Sequence, residues 1–169
     1  LAHERCAGSY RPWLARYSEE HGEPKIALAM WRLQFEERPS FEAYKHLRRL
    51  AGGIGAWASL RPAMLGLLDP IRQAWLQIEI ALDERDVAWA IEIVSRPGAF
   101  LGQDGRIRVA TAAEASHPEE ASKLYCTEAE RLIAAMGRTN YVTAVAHLLR
   151  ARDLQRRLGK EAAWDAYVA

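Results

Sequence analysis

Cysteine is nearly missing from this 169-residue chain: Cys6 and Cys126 stand alone. Without a Cys-x-x-Cys pair they suggest neither a disulfide framework nor a zinc site, and reduced thiols in a cytoplasmic protein are the simpler reading. An excess of one charge is missing too. The 23 Lys and Arg and the 22 Asp and Glu nearly cancel, leaving +1, so no whole-protein basic field is available to recruit nucleic acid or anionic lipid. No apolar run approaches the ~20 residues that span a bilayer, and no signal peptide is visible. There is no Gly-x-Ser-x-Gly, no His-Glu-x-x-His and no Cys–His arrangement at a recognisable spacing. These absences leave catalysis, metal binding and cofactor binding without support. The chain reads as a non-enzyme.

What is there is helical periodicity. Half the residues are hydrophobic, and a chain of this length should bury ~70% of its unfolded surface, so a single domain over 1–169 is the natural expectation. Beginning at Leu1 without Met and ending inside a helical pattern, it reads as a fragment of something larger. Turn residues cut the pattern into short pieces. Ser9 is a candidate cap for a helix over 10–21 with Pro12 in its first turn, and Gly22 ends it. A helix over 23–37 stops at Pro39, and Ser40 caps a third that breaks at Gly52-Gly53-Ile54-Gly55. Helices over 56–68, 70–82, 84–95, 107–116, 118–136 and 140–158 follow, with a last piece from Lys160. Residues 98–106 form the longest non-helical stretch, where Asp104-Gly105 offers a hairpin turn as the alternative to helix.

That rhythm has a period. Gly22 and Gly55 end successive first helices 33 residues apart, and the equivalent turn around Arg85 comes 30 later. Such spacings indicate stacked helical hairpins. Ala27-x-x-x-Trp31 before Pro39, Ala121-x-x-x-Tyr125, and a degraded Ala90-x-x-x-Val94 before Pro97 match the second half of the tetratricopeptide pattern, while Tyr44-x-x-Leu47 fits the first half. A small Ala lets two helices approach, and the larger side chain one turn on fills the gap between them. The pattern's first-helix Gly is missing throughout. The expectation is therefore an all-α, tetratricopeptide-like superhelix of about five stacked antiparallel hairpins.

Two stretches carry a family resemblance. Gly22, Ala27, Pro39, Tyr44, Leu47 and Leu50 in the first, and Tyr141, Ala144, Leu148, Leu149, Arg157, Leu158, Gly159, Trp164 and Tyr167 in the second, are similar to the helical region that follows the zinc finger in bacterial SWIM zinc-finger proteins. The family's metal motif, Cys-x-Cys followed by Cys-x-His, does not occur in this sequence, so zinc binding is not carried over. The resemblance implies a helical interaction region.

The remaining constellations have simpler structural readings. Glu42 and His46 at i,i+4 supply too few ligands for a closed zinc site. Glu79 and Asp83 would need a pocket that raises one pKa before they could act as acid and base, and they lie beside a turn rich in capping residues. Trp31, Trp57, Trp75, Trp89 and Trp164 occur at apolar helical spacing, which predicts core packing, whereas Trp13 is less settled. The C-terminal helix concentrates cations in Arg150, Arg152, Arg156, Arg157 and Lys160. Its wheel predicts an apolar face of Tyr141, Ala144, Val145, Leu148, Ala151 and Leu158, with Arg150 and Arg157 opposite and Asp153 pairing between them.

The leading functional reading is a protein- or peptide-binding scaffold with a groove lined by Tyr44, Lys45, Arg48, Arg72 and Gln73. The alternative is a nucleic-acid-binding accessory domain that uses the five basic residues of the C-terminal helix.

Overall fold

The computed structural model describes the backbone of residues 2–102 and 104–168, and side chains from 10 to 102 and from 104 to 167. Cys6 and the Ser9 side chain lie outside the described side chains. The described residues form ten helices and no strand: α1 Ala2–Glu20, α2 Pro24–Glu37, α3 Phe41–Gly53, α4 Trp57–Gly66, α5 Ala74–Asp83, α6 Val87–Val94, α7 Gly105–Ala113, α8 Pro118–Ala134, α9 Arg138–Arg157 and α10 Glu161–Val168. No helix among them is long and apolar enough to cross a membrane.

Two compact units emerge, Leu1–Asp69 and Pro70–Ala169. In the first, consecutive helices α1 to α4 pack pairwise. Its core holds Trp31, Phe35, Tyr44, Leu47 and Met64, each at most 2% exposed. The Tyr44 ring lies 6.2 Å from Phe35 and 5.2 Å from Trp57, centroid to centroid, a spacing at which aromatic pairs attract. In the second unit, Ala74, Ile78, Ala90, Ile93 and Val109 join α5, α6 and α7. Ala113, Ala121, Tyr125, Ala151 and Leu154 then join α7, α8 and α9. The α8–α9 pair is the most extensive helix contact in the chain.

The small-residue positions behave as their spacing predicts. Ala27, Ala90 and Ala121 are all 0% exposed, and Trp31, Val94 and Tyr125 one turn later are buried beside them. The turns repeat as well. Gly22, Gly55 and Arg85 sit in the left-handed region at φ 74°, 70° and 60°. Each is followed by a residue whose N–H reaches back five positions at 2.8 Å: Glu23 to the Ser18 carbonyl, Ala56 to Ala51, Asp86 to Ala81. This is the Schellman closure, which satisfies carbonyls left open at a helix end. Two turns use Gly, which has no Cβ to clash there, and one uses Arg.

Some boundaries differ from the expected ones. Helix α1 begins at Ala2 and runs through Ser9 and Pro12, so Ser9 does not cap its start. Packing against α2 accompanies the backbone bond that Pro12 cannot donate. Residues 70–73 form turns rather than the first turn of α5. Asp104-Gly105 makes no hairpin: Gly105 opens α7. The preceding stretch is tied to the start of the unit instead, through Phe100 N–H to Ile71 O at 2.9 Å and Trp75 N–H to Phe100 O at 3.0 Å.

Candidate functional site

The basic C-terminal helix is divided by its partners. Arg150 Nη1 donates to Glu114 Oε1 at 3.2 Å and to the Tyr125 hydroxyl at 3.1 Å. Arg157 donates to the Glu114 carbonyl at 3.4 Å. Asp153 therefore does not pair between Arg150 and Arg157; it accepts from Arg152 instead. Lys160 Nζ meets Glu119 at 2.7 Å. Of the five candidate cations Arg150, Arg152 and Lys160 make ion pairs, Arg157 bonds only to a backbone carbonyl, and Arg156 makes neither contact. A phosphate would have to displace existing bonds at the other four.

The buried arc of α9 is also rotated from the predicted one. Ala144, Ala151 and Leu154 are buried, while Tyr141 and Val145 stand 46% and 55% exposed. Small Ala side chains let α8 approach on one side, and the bulkier residues the wheel had grouped with them are turned to solvent. With Val142 and Leu149, also exposed, they form an outward stripe at i, i+1, i+4 and i+8. Helix α1 carries a second stripe. Tyr10, Trp13, Leu14 and Tyr17, at i, i+3, i+4 and i+7, are between 38% and 64% exposed. The Trp13 ring stacks on Tyr17 at 5.5 Å and Tyr17 on His21 at 3.9 Å. Trp13 is thus a surface residue, and Trp75, expected in the core, is 37% exposed.

Three polar clusters join residues that the sequence reading did not connect, apart from the Glu42 and His46 pair in the first. In the first unit Glu19 accepts from Trp31 Nε1 at 2.6 Å, sits 2.9 Å from His46 Nδ1 and takes a bond from Arg49. His46 stacks on Trp31 at 4.1 Å, and its Nε2 lies 3.9 Å from Glu42. In the second unit Glu128, 7% exposed, accepts from Arg106 at 3.0 Å and from Arg131. Burial works to raise its pKa, but bonds and charge from Arg131 and Arg106 outweigh it and hold the carboxyl below its usual range. In the third cluster the Tyr125 hydroxyl donates to Glu114 at 2.6 Å and lies 3.0 Å from Thr111 Oγ1. Burial, with Glu114 holding the proton, pushes Tyr125 upward. Burial also keeps the neighbouring His147 below its ordinary value against the pull of Glu128.

A cavity of about 370 Å³ touches Arg106, Glu128 and Arg131, where both guanidinium groups are engaged by the one carboxylate. Glu79 turns to Arg108 at 3.3 Å, and Asp83 is exposed. A cavity of about 280 Å³ beneath α10 includes Cys126, Gln155, Trp164 and Tyr167. Burial raises the Cys126 thiol, which lowers its thiolate fraction and its reactivity. Among the described residues no group of three or more His, Cys, Asp or Glu side chains is placed to hold a metal ion.

The expected groove residues divide between the units. Tyr44 is fully buried, a core residue rather than a groove one, because the first unit closes its aromatic cluster around it. Lys45 is exposed over the Phe41 ring at 5.0 Å, and Arg48 is half-buried on the same helix. Arg72 and Gln73 belong to the opening turn of the second unit.

Compared with protein-family models, curated proteins and solved structures, the chain finds no match. Its class rests on the fold: an all-α chain of paired helices with two apolar stripes in solvent.

Proposed function

We propose that this chain is a non-catalytic helical module that binds a protein or peptide, its helices paired in tetratricopeptide-like hairpins. The observation that carries the reading is the pair of outward apolar stripes on α1 and α9. Scattered apolar residues are ordinary on a protein surface, but apolar residues lined up at helical spacing form a contact face for another chain. The repeated Schellman turns after α1, α3 and α5, and the buried Ala27, Ala90 and Ala121, support the hairpin arrangement. The proposal extends to the likeness with the helical region of bacterial SWIM zinc-finger proteins, with no metal chemistry attached.

Selection of displayed peptides on the immobilised protein tests it. Ligands should emerge whose binding is lost in Trp13→Glu with Tyr17→Glu, or in Val145→Glu. No enriched ligand, or ligands indifferent to both sets, would overturn the reading. The second reading, nucleic-acid binding, rests on the basic residues of α9. Four Arg engaged on duplex DNA would give a slope of log K against log salt near about −3.6. With three of the five cations ion-paired and Arg157 held by a backbone carbonyl, weak binding at any salt is expected.

A further inference from the structure

The outer face of α9 has a charge pattern as well as an apolar stripe. At 100° per residue, Arg138, Tyr141, Val142, Val145, Leu149, Arg152 and Arg156 share one side, and all but the part-buried Arg152 are exposed. The apolar side chains occupy the middle and the cations the two ends, with Arg138 and Arg156 about 27 Å apart along the axis. Between 138 and 160 the sole acidic residue is Asp153. It lies at the edge of this side and pairs with Arg152, leaving Arg138 and Arg156 without an ion pair. Arg150 and Arg157 face the other way, toward Glu114. The helix N-terminus adds partial positive charge beside Arg138.

We propose that this face binds an acidic amphipathic helix of a partner protein. Its apolar residues, at i, i+3 or i+4 and i+7, would cover Tyr141, Val142, Val145 and Leu149. Its Asp and Glu residues, placed at both ends, would meet Arg138 and Arg156. The inference rests on the protein-binding reading and names the chemistry of the partner. Complementary charge at both ends fixes register along the stripe, whereas the apolar centre supplies the contact area. A nucleic acid would use the cations but leave the apolar centre covered by nothing. An anionic membrane would use both only by burying the stripe. This stripe has no Trp or Phe, and its side chains are just 44–66% exposed, so little of them reaches beyond the helix.

Fluorescence anisotropy with three sets of labelled peptides tests this on the whole chain. The sets share the same varied apolar positions and carry Glu, Gln or Lys at their ends. The Glu set should contain binders that weaken as salt rises, and the Lys set should not. Val145→Asp should weaken the best Glu peptide at least about tenfold, because it removes a buried apolar contact. Arg138→Gln with Arg156→Gln, which leaves the apolar centre intact, should weaken it about three- to tenfold and flatten its salt dependence. Circular dichroism of each variant must match the parent. Equal binding by all three sets would overturn the acidic partner. So would binding to phosphatidylserine vesicles that Val145→Asp abolishes while no peptide binds. Absence of Glu-set binding, while display selection still yields ligands sensitive to Trp13→Glu with Tyr17→Glu, would overturn this inference and leave the protein-binding reading standing.

Discussion

Glu19 in the first unit and Glu128 in the second are both enclosed carboxylates, with side chains 15% and 9% exposed, and they are held differently. Glu128 is gripped by two guanidinium groups. Glu19 meets one guanidinium, a neutral indole N–H and an imidazole that is itself stacked on the indole. The difference teaches how each unit joins its helices. The second unit relies on charge to close α7 against α8. The first attaches its carboxylate to an aromatic pair that already belongs to the α2–α3 packing. A charged anchor is strong while its partners are present and costly once one is lost, here above all for Arg106, the less exposed of the two guanidinium groups.

The largest expected effect follows directly. Glu128→Ala leaves Arg106 and Arg131 facing each other without a counter-charge and should cost about 2–3 kcal/mol, as for hydrogen bonds to charged groups. Glu19→Gln keeps one acceptor oxygen, enough for Trp31 or Arg49 but not both, and should cost about 1 kcal/mol. Denaturant melts give the totals. Hydrogen exchange resolved by peptide should localise the first loss to α7–α8 and the second to α1–α3. Equal costs would break the contrast.

Ala27 and Ala121 are the equivalent close contacts of the two units. Ala27→Leu and Ala121→Leu should each overpack a hairpin and cost about 1–3 kcal/mol. An unchanged melting midpoint for either would mean that helices do not touch tightly at that residue.

Acid sharpens the contrast further. His147 is depressed below 6.5, so the unfolded chain takes up a proton first as pH falls, and stability drops from about 6.5 downward. Glu128 is depressed below 4.5; its contribution is complete above that value and is lost as pH falls through the lower folded one. Urea melts from pH 7 to below pH 3 should therefore show two successive losses, and His147→Gln should remove the upper one. A single loss unaffected by that change would refute the assignment.

The smallest effects compare turns. Gly22 has no atom within 4 Å of where a Cβ would stand, so Gly22→Ala should cost only the left-handed backbone penalty, about 1–2 kcal/mol. Arg85→Gly relieves the same penalty in the second unit while loosening the unfolded chain. It should stabilise by at most about 1 kcal/mol, read as a raised thermal midpoint.

Much of this architecture was readable in the chain. The period of the turns, the buried Ala27, Ala90 and Ala121, and the all-helical character come from local rules, in which turn residues and 3.6-residue spacing act within a few positions. The basic helix shows where such reading stops. A wheel assigns Arg150 and Arg157 a direction but names no neighbour, and Glu114, 36 residues before Arg150, carries no local mark of its role. The same holds for Tyr44, which the expected hairpin topology placed in a groove while Phe35 and Trp57 pack against it.

The sequence by itself determined which segments are helical, where they turn, and which small residues permit close packing. Only the tertiary structure decided which side of α9 is dry. That choice depends on how closely α8 can approach Ala144 and Ala151, and the approach turns Tyr141 and Val145 outward. It also decided which cations are spent within the chain, because an ion pair between helices needs two side chains brought within about 4 Å, a distance that spacing along one helix does not contain.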